Sequence, residues 1–317
     1  MPLLTIAIPT YNRALYLHKC LISLKKSIPS SCQDIEILII NNNSTDNTEE
    51  IVEDLNSNIN IKYIRNDSNI GADENFKKCL KEANGNFVWI FGDDDIFFEN
   101  SISYILNIIK NNNEIGLIHL KAKNFQLDDE LMEDKIDSFD YKVISSKEDF
   151  IKIIHTNITF LSANIFNKKL LNNVDLDAIP NNNLGQVYWN MVCILEADKN
   201  IFCNNKIFGA RQFNSGNYNF CKVFVVSFID ILNLIDIKYN IKNILKIFYK
   251  RLLIFYYPAN IIRLKNGLSG VEYNNNCFNL LYPKFKFNIY FWIFTIPAII
   301  LPKKVSLYII KLIEKNR

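Results

Sequence analysis

The sequence Trp89-Ile90-Phe91-Gly92-Asp93-Asp94-Asp95 leads an apolar strand directly into three adjacent carboxylates, with Gly92 ending the strand. Adjacent carboxylates repel one another unless a cation compensates their charge. Mg²⁺ and Mn²⁺ prefer oxygen ligands, which they commonly share with substrate phosphates. An acidic, solvent-exposed turn is the alternative interpretation. We interpret the triplet as a metal site with Asp93 and Asp95 as ligands, where another carboxylate accepts from a ribose hydroxyl.

Between residue 3 and the acidic triplet, the sequence predicts four strands with helices between them. This alternation predicts an α/β fold with a mainly parallel sheet flanked by helices. Ligands of such sheets bind at the carboxyl ends of the strands, so the turns after strands one, two and four are the candidate site. The predicted strands span 3–9, 35–40, 61–64 and 87–91, and the predicted helices span 14–28, 45–55 and 72–83.

The rest of the chain predicts a second, helical part. A helix is expected at 101–113, strands at 115–120 and 158–165, and a helix at 184–197. From about residue 220 to 264 the chain is long, apolar and helical in pattern. We therefore predict an α/β domain over 1–215 and a helical C-terminal region over 216–317.

Composition excludes several classes of protein. Hydrophobic residues make up 49% of the chain and charged residues 22%, which supports a full core and argues against disorder. The net charge of +3 is too small to indicate a nucleic-acid partner. Seven cysteines without a C-x-x-C pair indicate a reducing compartment. The N-terminus has no basic region and no cleavage signal, so we expect a cytoplasmic protein.

The apolar segment 287–301 has two interpretations. It is shorter than the ~20 residues that span a bilayer, and Pro297 interrupts it. One interpretation is a buried or dimer-forming helix. The other, which we favour, is a segment lying in the membrane interface with aromatic side chains immersed and lysines at the headgroups. The aromatic residues are Tyr290, Phe291, Trp292 and Phe294, and the flanking lysines are Lys284, Lys286, Lys303 and Lys304.

Four motifs in register resemble a known family. They are 8–13 (IPTYNR), 42–46 (NNSTD), 69–71 (NIG) with Asn75, Ala83 and Gly85, and the triplet 93–95. Together they resemble the inverting family 2 glycosyltransferases, which have the glycosyltransferase A-type, Rossmann-like fold. The stretch 89–95 is most similar in sequence to bacterial transferases of O-antigen and capsule assembly, abequosyltransferase-like proteins among them. The resemblance covers residues 3–100 strongly and 100–215 weakly.

The resemblance implies a nucleotide pocket and a cofactor, Mn²⁺ or Mg²⁺. Where the family usually has an aspartate after strand two, this chain has Asn41 or Asn42, and an amide both accepts and donates. UDP, CDP and dTDP sugars are therefore all admissible donors. Arg211 and the stretch 214–218 are interpreted either as a lid over the pyrophosphate or as a surface loop. The implied nucleotide-binding residues are Pro9, Thr10, Tyr11, Asn12, Arg13, Asn41, Asn42, Asp67, Asn69, Asp93, Asp94 and Arg211.

The catalytic base is the weakest part of the resemblance. The family has an aspartate at the start of a helix about ninety residues after the triplet, where this chain has Gln186, which cannot take a proton. The nearest carboxylates are Asp175 and Asp177, which we take as candidates alongside Gln186. Glu196 lies ~15 Å further along the helix, and His155 is a further alternative.

We therefore expect transfer of a sugar from a nucleoside diphosphate donor to a glycan acceptor. The acceptor is expected to be lipid-linked, with the protein peripheral on the inner face of the cytoplasmic membrane. Gln186 and Trp189 are expected to contact the acceptor sugar. The alternatives are a nucleotidyltransferase and an inactive nucleotide-sugar-binding protein. A dinucleotide dehydrogenase is excluded because no G-x-G-x-x-G follows strand one.

Overall fold

The computed structural model describes residues 1–29, 32–56, 60–112, 114–126, 134–138, 140–212, 219–267, 277–303 and 305. The chain divides into two units. The first comprises Met1–Phe150 with Asn157–Gln212, and the second comprises Ile151–Thr156 with Phe213–Arg317. The predicted boundary near residue 216 and the predicted lid 214–218 lie outside the described residues.

The first half of the sheet follows the predicted alternation. Strand β1 pairs in parallel with β2 and β4, and β2 pairs in parallel with β3. Every residue of β1 is buried, as expected for a strand covered on both faces. The carboxyl ends of four strands therefore share one edge. The elements are β1 (Leu4–Thr10), α1 (Ala14–Ser27), β2 (Ile35–Asn41), α2 (Thr48–Asn56), β3 (Ile61–Arg65), α3 (Ala72–Glu82) and β4 (Phe87–Ile90).

The second half makes the sheet mixed, where the alternation predicted a mainly parallel one. The strand order is β3-β2-β1-β4-β8-β6-β9-β5, with β7 beside β9. Strand β8 runs antiparallel to both β4 and β6, so its start meets the carboxyl end of β4. The elements are β5 (Ile96–Phe97), α4 (Ser101–Asn111), β6 (Ile115–Phe125), β7 (Tyr141–Ile144), α5 (Lys147–Ile154), β8 (Asn164–Asn167), α6 (Gly185–Glu196) and β9 (Lys199–Arg211).

Two sequence predictions in this half are wrong. The predicted strand 158–165 is mostly 3₁₀ turn, and only its end belongs to β8. The carbonyl groups of this stretch accept hydrogen bonds from side chains, so they do not join a ladder. Strand β9 was not predicted, because Asn204, Asn205 and Lys206 interrupt its apolar pattern.

An aromatic cluster supports the end of β4. Trp89 and Phe97 both lie close to Phe91, with ring centroids 4.9 and 3.9 Å away. Phe208 of β9 lies edge-on to Phe91 at 5.4 Å. All four side chains are buried. The acidic triplet thus follows a strand whose end is packed against buried aromatic rings.

The second unit is helical. Its helices are α7 (Phe228–Tyr239), α8 (Lys242–Arg251), α9 (Tyr257–Lys265), α10 (Cys277–Phe285) and α11 (Ile296–Ile300), with π-helical turns at Lys222–Ser227, Leu252–Tyr256 and Phe291–Thr295. Cys221 and Cys277 form a disulfide with a Cα–Cα distance of 5.5 Å, which the cysteine count did not lead us to expect. The two are 56 positions apart, so only helix packing brings them together. Among the described helices, none is both long and apolar enough to cross a membrane.

Candidate functional site

A cavity of about 360 Å³ lies at the carboxyl ends of β1, β2, β3 and β4. This is where ligands bind to open α/β sheets. A larger cavity of about 690 Å³, lined by Ile35 and Glu36, opens at the amino end of β2, remote from the acidic triplet. Seven residues of the predicted nucleotide pocket line the smaller cavity: Pro9, Thr10, Tyr11, Arg13, Asn42, Asn69 and Asp93.

Arg13 and Thr10 hold the first carboxylate of the triplet. The Thr10 hydroxyl donates to Asp93 Oδ2 at 2.8 Å, and Arg13 Nη1 donates to Asp93 Oδ1 at 2.8 Å. Arg13 Nη2 also donates to Asp94 Oδ2 at 2.9 Å. Both oxygens of Asp93 are therefore engaged by the turn that follows β1, and the guanidinium compensates part of the triplet's negative charge.

Arg211 lies on the other side of the triplet. Its backbone N–H donates to Asp95 Oδ1 at 3.0 Å, and its Nε donates to the Asp94 carbonyl at 3.3 Å. The guanidinium carbons of Arg13 and Arg211 lie 5.3 and 5.1 Å from the centroid of the Tyr16 ring. Such contacts stabilise two cations near one another. Arg211, interpreted from the sequence as part of a lid or of a surface loop, thus lies beside the triplet at the end of β9.

Gly92 leaves a small space that carboxylate oxygens surround. A Cβ atom at this position would stand 3.1 Å from Asp94 Oδ1 and 3.2 Å from Asp95 Oδ2. Ser162 Oγ lies 3.3 Å from the same point. Three hard oxygen atoms therefore converge where any other residue would place a side chain. This donor set has the chemistry that Mg²⁺ or Mn²⁺ prefers.

No group of three His, Cys, Asp or Glu side chains with metal-site geometry occurs among the described residues. Two carboxylates suffice for an ion that takes its remaining ligands from water and substrate phosphates. Asp94 Oδ1 and Asp95 Oδ2 lie closest to the space at Gly92, whereas both oxygens of Asp93 already bond Thr10 and Arg13. That Asp93 and Asp95 bind a metal stays a prediction, and the proposal below pairs Asp95 with Asp94.

Burial changes the acidity of two members of the triplet. Asp93 and Asp95 are 3% and 4% exposed. Burial, with a further contribution from the Asp94 charge, raises the pKa of Asp95 to about 7. Burial likewise raises the pKa of Asp93 to about 7, although Arg13 acts in the opposite direction. With a pKa of about 7 the Asp95 carboxyl is partly protonated at neutral pH, and a divalent cation bound to it would displace that proton.

Stability in the absence of metal is expected to depend on pH. Because the folded pKa of Asp95 exceeds the ordinary value of ~3.9, the folded protein holds a proton between about pH 4 and 7 that the unfolded chain has released. Stability therefore falls as pH rises through that window. In EDTA, we expect the melting temperature of the wild type to fall by several degrees more than that of Asp95→Asn between about pH 5 and pH 8. Equal curves for the two proteins would show that Asp95 does not titrate in this range.

A network of asparagine side chains forms the opposite wall of the cavity. Asn42 Nδ2 donates to Asn69 Oδ1 at 2.8 Å, and Asn42 Oδ1 accepts from Ile70 N at 3.0 Å and from Asn66 Nδ2 at 2.9 Å. Asn66 Nδ2 also donates to Asn75 Oδ1 at 2.9 Å. The Asn42 amide is thus engaged within the protein at both ends. These bonds join the turn after β2 to the turn after β3, and the role of Asn42 as a base contact stays a prediction.

Five predicted nucleotide-binding residues lie outside the cavity lining: Asp94 and Arg211, described above, and Asn12, Asn41 and Asp67. Asn41 is fully buried, and its amide donates to the Tyr63 hydroxyl and accepts from Ser44 N. Asn12 accepts from Thr45 N at 2.7 Å, which ties the turn after β1 to the turn after β2. Asp67 is exposed on the turn after β3. Asn12 and Asn41 therefore have structural roles in joining turns.

The predicted base candidates are not brought to the cavity. Asp177 is exposed and bonds Lys81 Nζ at 2.7 Å, and this contact lowers the pKa of Asp177, which weakens it as a base. Asp175 is exposed and accepts from Asp177 N. Glu196 is exposed at the end of α6. His155 lies in the second unit, where its Nε2 is 3.2 Å from Arg251 Nη2.

Gln186 and Trp189 cannot contact an acceptor in the way expected. Trp189 is 1% exposed and packs against Phe166, so the prediction that its ring stacks on a sugar is wrong. Gln186 is 5% exposed, and its Nε2 donates to the Thr159 carbonyl at 2.9 Å. The helical periodicity of α6 turns both side chains inward, which a position count along the sequence does not reveal.

Two site residues were missed by sequence reasoning. The Ser162 hydroxyl accepts from Gly92 N at 2.9 Å and bonds the Asp95 carboxylate. Asp73 lies in the first turn of α3, where it accepts from Asn183 N at 2.9 Å, next to the start of α6. Burial raises the pKa of Asp73. Neither residue belongs to a recognisable motif, and both contacts join distant parts of the chain.

Parts of the chain are similar to characterised bacterial sugar transferases. Abequosyltransferase RfbV of Salmonella typhimurium is 38% identical over 127 residues, which cover 39% of this chain and 38% of that protein. The GalNAc(5)-diNAcBac-PP-undecaprenol beta-1,3-glucosyltransferase of Campylobacter jejuni is 32% identical over 108 residues, 33% of this chain and 34% of the relative. The matches thus span little more than a third of these relatives' length.

Solved structures share the fold. The structure of residues 1–349 of TarS from Staphylococcus aureus in complex with UDP covers 94% of this chain and 91% of that chain, with a TM-score of 0.63 at 18% identity. A mannosyltransferase from Pyrobaculum calidifontis in complex with GDP-Man and Mn²⁺ covers 73% of this chain and 64% of that chain, with a TM-score of 0.51 at 14% identity. These likenesses establish a mixed sheet flanked by helices of the glycosyltransferase A type.

The sequence profile of Glycosyl transferase family 2 matches residues 5–174, more than half of the chain and the whole segment from β1 through the acidic triplet to β8. With the triplet, the turn after β1 and the cavity between them in one place, the chain belongs to glycosyl transferase family 2.

Proposed function

We propose that the protein transfers a sugar from a nucleoside diphosphate donor to a glycan acceptor in the assembly of a bacterial surface polysaccharide. The observation that carries this proposal is the cavity between Thr10, Arg13 and Asp93, which lies at the end of the strands beside a carboxylate cluster. Family membership and similarity to an abequosyltransferase support it. Arg13 supplies a fork of N–H donors suited to a diphosphate.

A divalent cation is part of the proposal. Asp94 and Asp95, whose oxygens converge above Gly92, would hold Mg²⁺ or Mn²⁺ together with phosphate oxygens of the donor. When bound, such an ion neutralises negative charge that develops on the departing diphosphate. The mannosyltransferase of similar fold was solved with Mn²⁺, which supports this assignment.

The donor base is left to experiment. TarS structures hold UDP and UDP-GlcNAc, and the mannosyltransferase holds GDP-Man. In this chain the amides of Asn41 and Asn42 bond within the protein, so the base contacts other groups of the cavity. Tyr11 is 41% exposed at the cavity and offers an aromatic face.

The second unit carries an exposed aromatic patch, which we define as Phe278, Tyr282, Phe287, Trp292 and Ile293. Phe287 is 93% exposed, Ile293 55% and Trp292 46%. The Tyr282 ring centroid lies 5.4 Å from that of Phe278 and 6.3 Å from that of Trp292, so these three rings adjoin one another. Trp292 Nε1 donates to the carbonyl of Lys286, the residue before Phe287. A patch of adjoining, exposed apolar side chains often marks an interaction surface.

We propose that the aromatic patch binds the membrane surface. Lys286 Nζ lies 5.0 Å from the Phe287 ring, and Lys284 and Lys303 belong to the same stretch, which suits an anionic headgroup layer. Membrane binding concentrates the protein on the leaflet that carries a lipid-linked acceptor. The Campylobacter relative is named for an undecaprenol-linked substrate, which supports this choice.

Binding and turnover assays on the full chain test the function. UDP, CDP, GDP and dTDP are screened by thermal shift with and without Mn²⁺, and diphosphate release is then measured from sugars of the best-bound nucleotide. We expect one nucleotide to raise the melting temperature by several degrees only when Mn²⁺ is present, because metal and diphosphate bind together.

The alternatives give different results in the same assays. A nucleotidyltransferase would release pyrophosphate from a nucleoside triphosphate and a sugar phosphate. A binding protein would show the thermal shift without turnover on any donor. If no nucleotide changed the melting temperature, with or without Mn²⁺, the proposed function would be rejected.

A further inference from the structure

The turn formed by residues 158–162, which we name the platform turn, lies beside the acidic triplet. Ser162 bonds both Gly92 N and Asp95, and Leu161 lines the cavity. Phe160 is two residues before Ser162, so its Cα lies within ~7 Å of the Ser162 Cα. The platform turn is therefore a neighbour of the proposed metal site.

The order of strands gives the cavity two sides. Tyr11, Asn42 and Asn69 follow β1, β2 and β3, on the side where the turns would surround the nucleotide. The platform turn precedes β8, which pairs with β4 on the side away from β2 and β3. A donor whose diphosphate meets the triplet would thus direct its sugar, and the acceptor that attacks it, toward the platform turn.

Side chains hold the platform turn rigidly. Asn164 Nδ2 donates to the Phe160 carbonyl at 2.7 Å, and Gln186 Nε2 donates to the Thr159 carbonyl at 2.9 Å. Asn190 Nδ2 donates to the Ile158 carbonyl at 3.2 Å, and Trp89 Nε1 donates to the Ser162 carbonyl at 2.8 Å. Four buried side chains thus fix the backbone of a turn whose own carbonyls join no strand.

This fixed turn presents an aromatic ring to solvent. Phe160 is 38% exposed, and its ring lies 5.8 Å from the ring of buried Phe208. One part of the Phe160 side chain therefore packs on the aromatic cluster that supports the triplet, while the rest is exposed to solvent. An aromatic ring with two torsions and a rigid base offers contact area at a low cost in conformational entropy.

We propose that Phe160 is the stacking surface for a pyranose ring of the glycan acceptor, and that Gln186, Asn164 and Asn190 position it. This inference rests on the proposed sugar transfer, and it gives Gln186 a positioning role. The apolar C–H face of a pyranose packs on an aromatic ring, while its hydroxyl groups stay available for hydrogen bonds.

Saturation-transfer NMR on the full chain tests this proposal. The probes are methyl α-mannopyranoside, methyl β-galactopyranoside, methyl α-rhamnopyranoside and methyl N-acetyl-β-glucosaminide, with Mg²⁺ and the nucleoside diphosphate that most raises the melting temperature. We expect at least one pyranoside to receive saturation through its ring C–H protons. Phe160→Ala should weaken its affinity by about tenfold, from the loss of roughly half an aromatic side chain's apolar contact.

Matched variants separate stacking from folding. Phe255→Ala removes an aromatic side chain of the same type, 46% exposed, that lies in the second unit outside the aromatic patch, and it should leave pyranoside binding unchanged. Phe160→Leu keeps an apolar contact with Phe208 without a flat face and should stay weak, whereas Phe160→Trp should restore binding. Melting temperatures of all variants are compared to confirm that they fold.

The outcomes distinguish this inference from the function on which it rests. If nucleotide binding is present but no pyranoside receives saturation, or Phe160→Ala binds as the wild type does, the platform turn is not the acceptor site. An equal loss in Phe255→Ala would also overturn the assignment. If no nucleoside diphosphate changes the melting temperature in the thermal-shift screen, the proposed sugar transfer itself is rejected. That result is distinct from a loss of pyranoside binding alone.

Discussion

Replacing Asp95 with asparagine is expected to lower kcat for sugar transfer by roughly 10³-fold or more. A metal ion contributes several kcal/mol to stabilising transition-state charge, and each ~1.4 kcal/mol corresponds to a factor of ten in rate. The amide has the same shape but no charge, so it would hold Mn²⁺ poorly. Initial rates of diphosphate release and the nucleotide Kd with and without Mn²⁺ measure the effect.

The structure provides both a control and a check on folding. Asp198→Asn is the control, because Asp198 is an exposed carboxylate just before β9. The 13 residues of β9 place Asp198 ~40 Å from Arg211, which lies beside the triplet. This variant should leave turnover unchanged. Because burial raises the pKa of Asp95, the asparagine variant should melt no lower than the wild type at about pH 8. Wild-type turnover together with unchanged Mn²⁺-dependent affinity in Asp95→Asn would refute the proposed metal site.

Replacing Phe287 and Ile293 together with glutamate is expected to reduce binding to anionic vesicles by ~100-fold or more. Burying one large apolar side chain contributes ~1.5–3 kcal/mol, so losing two corresponds to about this change in affinity. The added negative charges also repel the anionic surface. Co-sedimentation with vesicles of phosphatidylethanolamine and phosphatidylglycerol measures the partition.

Ile237→Glu is the matched control for this experiment. Ile237 lies on α7 of the same unit and is 85% exposed, but it is not part of the aromatic patch. The Ile237→Glu variant should bind vesicles as the wild type does. Unaltered vesicle binding by the double variant would mean that the aromatic patch has another partner, such as a second copy of the chain, which light scattering would detect.

The parallel half of the fold could be predicted because its signals are local. Each of β1 to β4 is a short apolar run bounded by turn residues, and α1 to α3 begin close to their expected positions. The direction of β8 and the existence of β9 could not be predicted in this way. The polar residues Asn204, Asn205 and Lys206 hide the period of β9, whose pairing with β6 is interrupted by irregular register.

The candidate site shows the same division. The motifs correctly indicated that the turns after β1 and β4 meet, because parallel strands end at a shared edge. Asn41 and Asn42 were interpreted as base contacts, yet their amides bond within the turns. Trp189 was interpreted as a sugar contact, yet α6 turns it into the core. Side-chain direction depends on what packs against an element, which the motif alone does not contain.

From the sequence alone came the α/β class, the four turn motifs and the carboxylate triplet, since apolar periodicity and turn chemistry act between near neighbours. Tertiary structure decided which side chains meet. Thr10 bonds Asp93 across 83 positions, and Arg211 bonds Asp95 across 116. Contacts over such separations are formed when strands are placed side by side, and they leave no period along the chain from which they could be predicted.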